Sequence, residues 1–251
     1  VGTFDIVPVE SADVVIAVNF LSFAQEVCKA AKCRRSPRMI GIVREPPGIE
    51  PLYYDPDIQG VFHRYFCPVM PAGNRHCWEY MDFPVMDIKT PKVSFAEKKL
   101  LTMVCSGKMK PFKGSLYRER LRAIYFFQNI FPDEFHLYGY GWEAMRLASY
   151  RGTVKSKHET MAQYRFSLCY ENTGNRAGYV SEKIYDAMVS RSVPIYLGAP
   201  DIHRHVPENC FINLRRYTNY EQIVSVIAKM DEQAYRSYMS SIDDFLNSDA
   251  F

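Results

Sequence analysis

The chain has 251 residues, 47% apolar and 14% aromatic, which is enough to bury one large core or two small ones and excludes a disordered tail. Its formal net charge of +3 is too small to imply a nucleic-acid partner. No apolar run approaches the ~20 residues that cross a bilayer. The longest candidate, Val14 to Phe23, is interrupted by Asn19 and reads as a buried strand. The first residue is valine, so an upstream signal or anchor segment stays open. The cysteines are Cys28, Cys33, Cys67, Cys77, Cys105, Cys169 and Cys210, an odd number without a Cys-x-x-Cys pair. Reduced, buried thiols suit that pattern better than a disulfide framework. A zinc site from Cys28, Cys33, Cys67 and Cys77, with His63 or His76, matches no common zinc spacing.

Texture divides the chain into residues 1–97 and 98–251, with no internal repeat. The first part is irregular and rich in proline and aromatics. It contains two strand-like runs, Val14 to Val18 and Met39 to Val43, with a helical pattern over Ala24 to Lys32 between them. Glu45 to Pro91 reads as loops and short strands. From Lys98 the pattern becomes regular. Leu100 to Cys105 reads as a strand, Ser115 to Phe131 as an amphipathic helix with Leu116, Ile124, Phe127 and Phe131 near helical spacing, and Phe135 to Tyr138 as a strand ending in glycines. A helix over Lys157 to Tyr164, a strand over Phe166 to Tyr170, a helix over Ser181 to Ser190 and strands over Val193 to Leu197 and Cys210 to Leu214 follow, then a helix over Tyr220 to Met230. Such alternation predicts an α/β fold with a mostly parallel sheet. Ligands bind beyond the C-terminal ends of the strands in such sheets, which points to the loops after Cys105, Tyr138, Tyr170 and Leu197.

Two helix starts at that edge are unusually cationic. The loop from Ser106 into its helix carries Lys108, Lys110, Lys113, Arg118, Arg120 and Arg122. Most of these six fit a solvated basic face. Arg118 is the exception, because a cation in a first helical turn opposes the helix dipole unless an anion lies in front of it. The oddity recurs in Gly178-Tyr179-Val180-Ser181-Glu182-Lys183-Ile184, where Ser181 suits an N-cap and Glu182 a first turn, but Lys183 does not. One such lysine is usually just exposed; two cationic helix starts at one sheet edge favour a diphosphate site. Between them lies Tyr170-Glu171-Asn172-Thr173-Gly174, whose carboxylate and amide could hold sugar hydroxyls, or which could simply be a turn.

With these pieces in order, the sequence resembles a known family. Tyr164-Arg-Phe-Ser-Leu-Cys-Tyr-Glu-Asn-Thr, then Gly178-Tyr-Val-Ser-Glu-Lys-Ile, then Val193-Pro-Ile-Tyr-Leu-Gly-Ala-Pro look like the signature of the α-1,3/4-fucosyltransferases, glycosyltransferase family 10. The likeness extends back to Arg118 and Leu137-Tyr138-Gly139 and forward through Phe211-Ile212-Asn213, and is thin before residue 98. It implies a GT-B fold of two Rossmann-like domains facing a central cleft. Residues 1–97 would be an acceptor-binding domain, short enough to leave room for a missing N-terminal part. Residues 98–251 would bind the nucleotide sugar, with the last helix packing back on the first domain. The resemblance also implies an inverting transfer of fucose from GDP-fucose to an oligosaccharide or glycolipid acceptor. Ser106, Arg118, Glu171, Asn172, Tyr179, Glu182 and Lys183 would bind the donor, with Arg120 a near competitor for the arginine position. The catalytic base would be Glu45 in Ile42-Val43-Arg44-Glu45-Pro46-Pro47, with Glu50 as the alternative; without the family, Glu45 reads as an ordinary surface glutamate.

No cofactor and no essential divalent metal are expected, since cationic side chains would offset the charge on the departing diphosphate. The Asp-x-Asp at Asp55-Pro56-Asp57 sits in a proline-rich loop and reads as a turn, not a metal site. The Cys-x-x-Cys that animal members carry near the C-terminus is missing. That points to a bacterial-type cytoplasmic enzyme, with peripheral membrane association allowed, or to the Golgi lumen if an anchor was removed. Two other functions remain open: a non-catalytic nucleotide-sugar-binding module, and a transferase for another GDP-sugar. A dinucleotide-dependent oxidoreductase fits poorly, because Gly139-Tyr140-Gly141 lacks the third glycine at the needed spacing.

Overall fold

The computed structural model describes residues 7–32, 37–68, 77–79 and 90–249. The chain forms two compact units, Val1–Met81 and Asp82–Phe251. Residue 97, where the sequence texture changes, lies two residues before the first strand of the second unit, which starts at Lys99.

The first unit holds a parallel sheet of β1 (Val14–Val18), β2 (Arg38–Ile42), β3 (Arg64–Cys67) and β4 (Cys77–Glu79), in that spatial order. Helix α1 (Ala24–Ala31) connects β1 to β2 and turns Val27 and Ala30 inward. Phe20, Tyr53, Phe62 and Tyr65 build an aromatic core, with Phe20 and Tyr53 edge to face at 5.2 Å between centroids. A glycine is needed at position 41, since a Cβ there would stand 2.6 Å from the Tyr65 ring. Short helix α2 (Pro56–Gln59) is capped by Asp55, whose carboxylate accepts from the Asp57 N–H at 2.8 Å. The Asp-x-Asp sequence is therefore a helix cap with proline at the first helical position.

The second unit is a five-stranded parallel sheet of β5 (Lys99–Val104), β6 (Phe135–Tyr138), β7 (Tyr164–Tyr170), β8 (Val193–Leu197) and β9 (Ile212–Asn213), in the order β6-β5-β7-β8-β9. Its helices are α3 (Tyr117–Ile130), α4 (Lys157–Met161), α5 (Glu182–Val189), α6 (Tyr220–Lys229) and α7 (Glu232–Leu246). Central β7 and β8 are buried along nearly their whole length, as parallel strands covered on both faces must be. The chain leaves β5 for β6 on one side and returns to β7 on the other. That reversal makes the C-terminal edge between β5 and β7 the switch point at which such sheets bind ligands.

Three elements differ from the sequence expectation. Helix α4 stops at Met161 and β7 begins at Tyr164, because the buried Lys98 ammonium takes the carbonyls of Ala162 (2.5 Å) and Tyr164 (3.3 Å). The strand expected over Cys210 to Leu214 shrinks to Ile212–Asn213, since the Asn213 side chain accepts from the Arg215 N–H and starts a 3-10 turn. Helix α7 places Tyr235, Met239, Ile242 and Phe245 on one buried face. The Tyr235 hydroxyl donates to the Arg191 carbonyl at 2.6 Å, and its ring meets Phe95 at 5.2 Å. Among the described residues no helix is long and apolar enough to cross a membrane.

Candidate functional site

The loops after β5 and β7 meet at the switch point and are tied together by backbone. Leu116 N–H donates to the Asn172 carbonyl and Gly174 N–H to the Gly114 carbonyl, both at 3.0 Å, and Ser115 pairs with Thr173 in an antiparallel bridge. On the other side of β5, Gly139 carries φ 130° and a Cβ there would strike the Cys105 carbonyl at 1.9 Å, so only glycine permits this approach. Trp142 seals the same corner by donating its indole N–H to the Cys105 carbonyl at 2.8 Å.

Helix α3 faces this edge with Arg120, not Arg118. The two residues lie ~200° apart around a helix of 3.6 residues per turn. Tyr117, Arg120, Ile124 and Phe127 form the buried stripe, and Arg118 is exposed. Arg120 is 3% exposed, and one terminal guanidinium nitrogen donates to the carbonyls of Tyr170 (3.3 Å) and Glu171 (3.5 Å) and to the Asn172 side-chain oxygen (3.4 Å). Its Nε is buried with no hydrogen-bond partner among the described residues. The guanidinium also lies 5.1 Å from the Tyr117 ring centroid.

Lys183 approaches from the first turn of α5. Its ammonium donates to Glu171 at 3.2 Å and to the Ser181 hydroxyl at 2.8 Å, and stands 4.0 Å from Glu182. Burial works against its charge, but the carboxylates of Glu171 and Glu182 more than offset this, and its pKa lies above the ordinary lysine value. Ser181 occupies the N-cap position without capping through its side chain; its hydroxyl donates instead to Glu171 at 2.6 Å. Glu171, fully buried, accepts on its other oxygen from the Ser181 N–H at 2.7 Å.

Asn172 donates to the Tyr179 hydroxyl at 3.3 Å, which puts this buried tyrosine beside the arginine. The loop from Gly174 to Gly178 is strapped at both ends. Arg215 donates to the carbonyls of Gly174 and Gly198, and the Gly178 N–H donates to Asp201 at 2.9 Å. A small cleft at this edge is lined by Cys105, Arg120, Lys157, Cys169 and Lys183 among others. Lys157, on α4, is held by Asp186 at 2.5 Å, and Asp186 also takes His158 at 2.8 Å. Burial raises the Cys105 thiol pKa, although Arg120, Lys183 and Lys157 all pull it down.

The structure thus gathers Glu171, Asn172, Tyr179, Glu182 and Lys183 at one edge, with half-buried Ser106 on the loop after β5. Arg118 is exposed, ~200° around α3 from Arg120, and Arg120 and Lys157 join the cluster. The signal for Arg120 is in the sequence: it falls on the apolar stripe of α3, three after Tyr117, four before Ile124 and seven before Phe127. A lone cation on a buried stripe needs a reason to be there. Nothing comparable marks Lys157.

Glu45 lies in the first unit, three residues beyond β2, on a turn set by Asn19. The Asn19 side chain accepts from the Arg44 N–H at 2.9 Å, and its own N–H donates to the Ile42 carbonyl at 2.9 Å. The Tyr54 hydroxyl donates to the Glu45 carbonyl at 3.1 Å. Glu45 and Glu50 are both half-buried. Burial first, then the charges of Glu50 and Glu45, raise the Tyr53 pKa. Cys28 is exposed, Cys67 sits in the core, and Cys28, Cys67, Cys105, Cys169 and Cys210 are free thiols. The Cys33, Cys77 and His76 side chains named for a zinc site lie outside the described residues.

Residues 116–246 match the family model described as "Glycosyltransferase family 10 (fucosyltransferase) C-term". Among curated proteins, the chain is 40% identical over 74 residues to the alpha-(1,3)-fucosyltransferase FucT of Helicobacter pylori, covering 30% of this chain and 15% of that protein. Among solved structures, it superposes on an alpha1,3-fucosyltransferase crystallised with GDP-fucose with a TM-score of 0.53 at 17% identity, covering 94% of this chain and 84% of that one. It superposes on S. aureus TarM, crystallised with UDP and saccharide ligands, with a TM-score of 0.61 at 11% identity, covering 93% and 52%. The structural likenesses show the fold, which is the GT-B type of α/β architecture.

Proposed function

Because the chain belongs to glycosyltransferase family 10, the fucosyltransferase family, we propose that it transfers fucose from GDP-fucose to a hydroxyl of an acceptor glycan, with inversion at the anomeric carbon. The observation that carries this is the pair of cations at the β5–β7 switch point, buried Arg120 and part-buried Lys183. The Arg120 Nε has no hydrogen-bond partner among the described residues, and both cations stand in a helix N-terminal region. A diphosphate is the ligand class that satisfies such a pair. The solved relative bound to GDP-fucose supports the choice of nucleotide sugar.

The chemistry follows from charge. As the glycosidic bond to the diphosphate breaks, the sugar becomes oxocarbenium-like and negative charge builds on the departing oxygens. Arg120 and Lys183 offset that charge from positions fixed before the donor arrives, so no divalent metal is required. Asn172 and Tyr179 flank the arginine, and Glu182, at the exposed start of α5, reaches a ribose or sugar hydroxyl. Glu45 takes the proton of the attacking acceptor hydroxyl; this assignment rests on the family resemblance alone. The acceptor is an oligosaccharide or glycolipid.

Calorimetry with GDP-fucose, GDP, UDP and NAD tests the donor assignment. GDP and GDP-fucose should bind and raise the melting temperature by linkage. Preference for UDP or NAD would sink it.

A further inference from the structure

We infer that Glu171 is a positioning residue, not a donor ligand: it holds the Lys183 ammonium and the start of α5 in the geometry that receives the diphosphate. This rests on the nucleotide-diphosphate site proposed above and deepens it.

Glu171 has no free face to offer. It is 0% exposed, and both carboxylate oxygens are engaged, one by the Ser181 N–H at 2.7 Å, the other by the Ser181 hydroxyl at 2.6 Å and the Lys183 ammonium at 3.2 Å. Its backbone is pinned as well, since its N–H donates to the Leu197 carbonyl at 2.9 Å and its carbonyl receives Arg120 at 3.5 Å. The end of β8 makes room for it: a Cβ on Gly198 would stand 2.4 Å from the Glu171 Cγ. A hydroxyl of a bound sugar would have to displace one of these three donors from a carboxylate that water does not reach, and a buried donor so orphaned costs free energy.

Each contact also solves a problem of the anion site. A first-turn lysine repels the positive end of its own helix. Glu171 supplies the charge that offsets this and fixes the ammonium within hydrogen-bond range of Ser181. The charged groups facing Lys183 are Glu171 at the end of β7, Glu182 beside it on α5, Arg120 from α3 and Lys157 from α4, with the thiols of Cys105 and Cys169 lining the same cleft. Of the two anions, Glu171 is the buried one. Without it, Lys183 would face the charge of Arg120 with only the half-exposed Glu182 as an offset, Lys157 being paired with Asp186.

The test compares wild type with Glu171→Gln and Ser181→Ala. Lys183 is followed by NMR of 13C-methylated lysines, assigned with Lys183→Arg, and GDP and GDP-fucose binding is followed by calorimetry from pH 7 to 10. Glu171→Gln keeps two of the contacts and removes the charge. We expect Lys183 to titrate at lower pH, GDP to bind roughly 10- to 100-fold more weakly at neutral pH, and the deficit to grow as pH rises through the lowered pKa. GDP and GDP-fucose should suffer by the same factor. If GDP binding were unchanged and only GDP-fucose weakened, Glu171 would be a sugar ligand and the inference would fall. An unmoved Lys183 titration in Glu171→Gln would overturn it too. If wild type bound no GDP, the proposed function would fail, while the Lys183 titration would still decide the role of Glu171. Should Glu171→Gln not fold, Ser181→Ala decides: a smaller shift in the same direction supports the inference, and no shift overturns it.

Discussion

Arg118 and Arg120 sit two residues apart on one helix, and they should behave as differently as two residues can. Arg120 is buried against the loop after β7, and Arg118 is exposed on the opposite side of α3. Replacing Arg120 by methionine keeps the stem that packs near Tyr117 and removes the guanidinium. In the free protein, its hydrogen bonds to Tyr170, Glu171 and Asn172 span 3.3–3.5 Å, the long and weak end of the range. Their loss should cost about 1 kcal/mol, and relief of repulsion with Lys183 offsets part of that. The bound state loses far more, because a charge-assisted contact to phosphate is worth roughly 1.5–3 kcal/mol. GDP affinity should therefore fall roughly ten- to a hundredfold while the melting temperature drops by a few degrees. Arg118→Ala should change stability by no more than about 0.5 kcal/mol and leave GDP affinity near wild type. Calorimetry and thermal denaturation on the three proteins give both numbers. Full GDP affinity in Arg120→Met, with loss in Arg118→Ala, would refute the placement of the diphosphate against α3's buried stripe.

Three further outcomes are expected. Glu45→Gln should fold, bind GDP normally and lose on the order of 10²–10⁴ in transfer rate, whereas Glu50→Gln should be mild; the reverse result in a transfer assay moves the base to Glu50. Exhaustive EDTA treatment should leave transfer intact, and activity abolished by EDTA and restored by magnesium or manganese would contradict the role given to Arg120 and Lys183. Lys98, buried and pushed down to about 8, binds its proton less tightly folded than unfolded. Its charged form costs stability below about pH 8, and that cost is relieved as pH rises toward the ordinary lysine value of 10.5. Stability measured by denaturant at pH 7 and pH 10 should therefore improve with pH more in wild type than in Lys98→Met, and identical profiles would show that Lys98 is not depressed.

The second unit was legible in the sequence because its elements obey simple periodicities. β6, β8 and most of α5 and α6 fall where the pattern of apolar residues puts them. Its failures are tertiary. Nothing local to Ala162 announces that the lysine just before β5 will take its carbonyl where α4 ends. The same limit governed the site. Glu171 and Lys183 could be marked as chemical oddities, but that they satisfy one another follows only from the fold. The helix dipole singles out Arg118 in the sequence, whereas the buried stripe of α3 carries Arg120. In the first unit, proline-rich loops set the course of the chain. A cap such as Asn19 on Arg44 spans twenty-five residues and leaves no local trace.

Gly198 offers a way to disturb the proposed diphosphate site without replacing any residue that would meet the donor. A Cβ there would stand 2.2 Å from the Tyr196 hydroxyl and 2.4 Å from the Glu171 Cγ. Tyr196 is fully buried and its hydroxyl receives the Ala199 N–H at 3.1 Å, so it has little room to retreat. Glu171 must then move, and it carries Ser181 and Lys183 with it. Overpacking of this kind costs roughly 1–3 kcal/mol. Gly152 is the matched control: it sits at φ 95° with nothing within 4 Å of its would-be Cβ, so alanine there pays backbone strain of roughly 1–2 kcal/mol and meets no neighbour. The two variants should be destabilised to a similar degree, yet only Gly198→Ala should bind GDP less tightly. Equal affinity in both would mean that the Glu171 side chain can shift without consequence for the diphosphate.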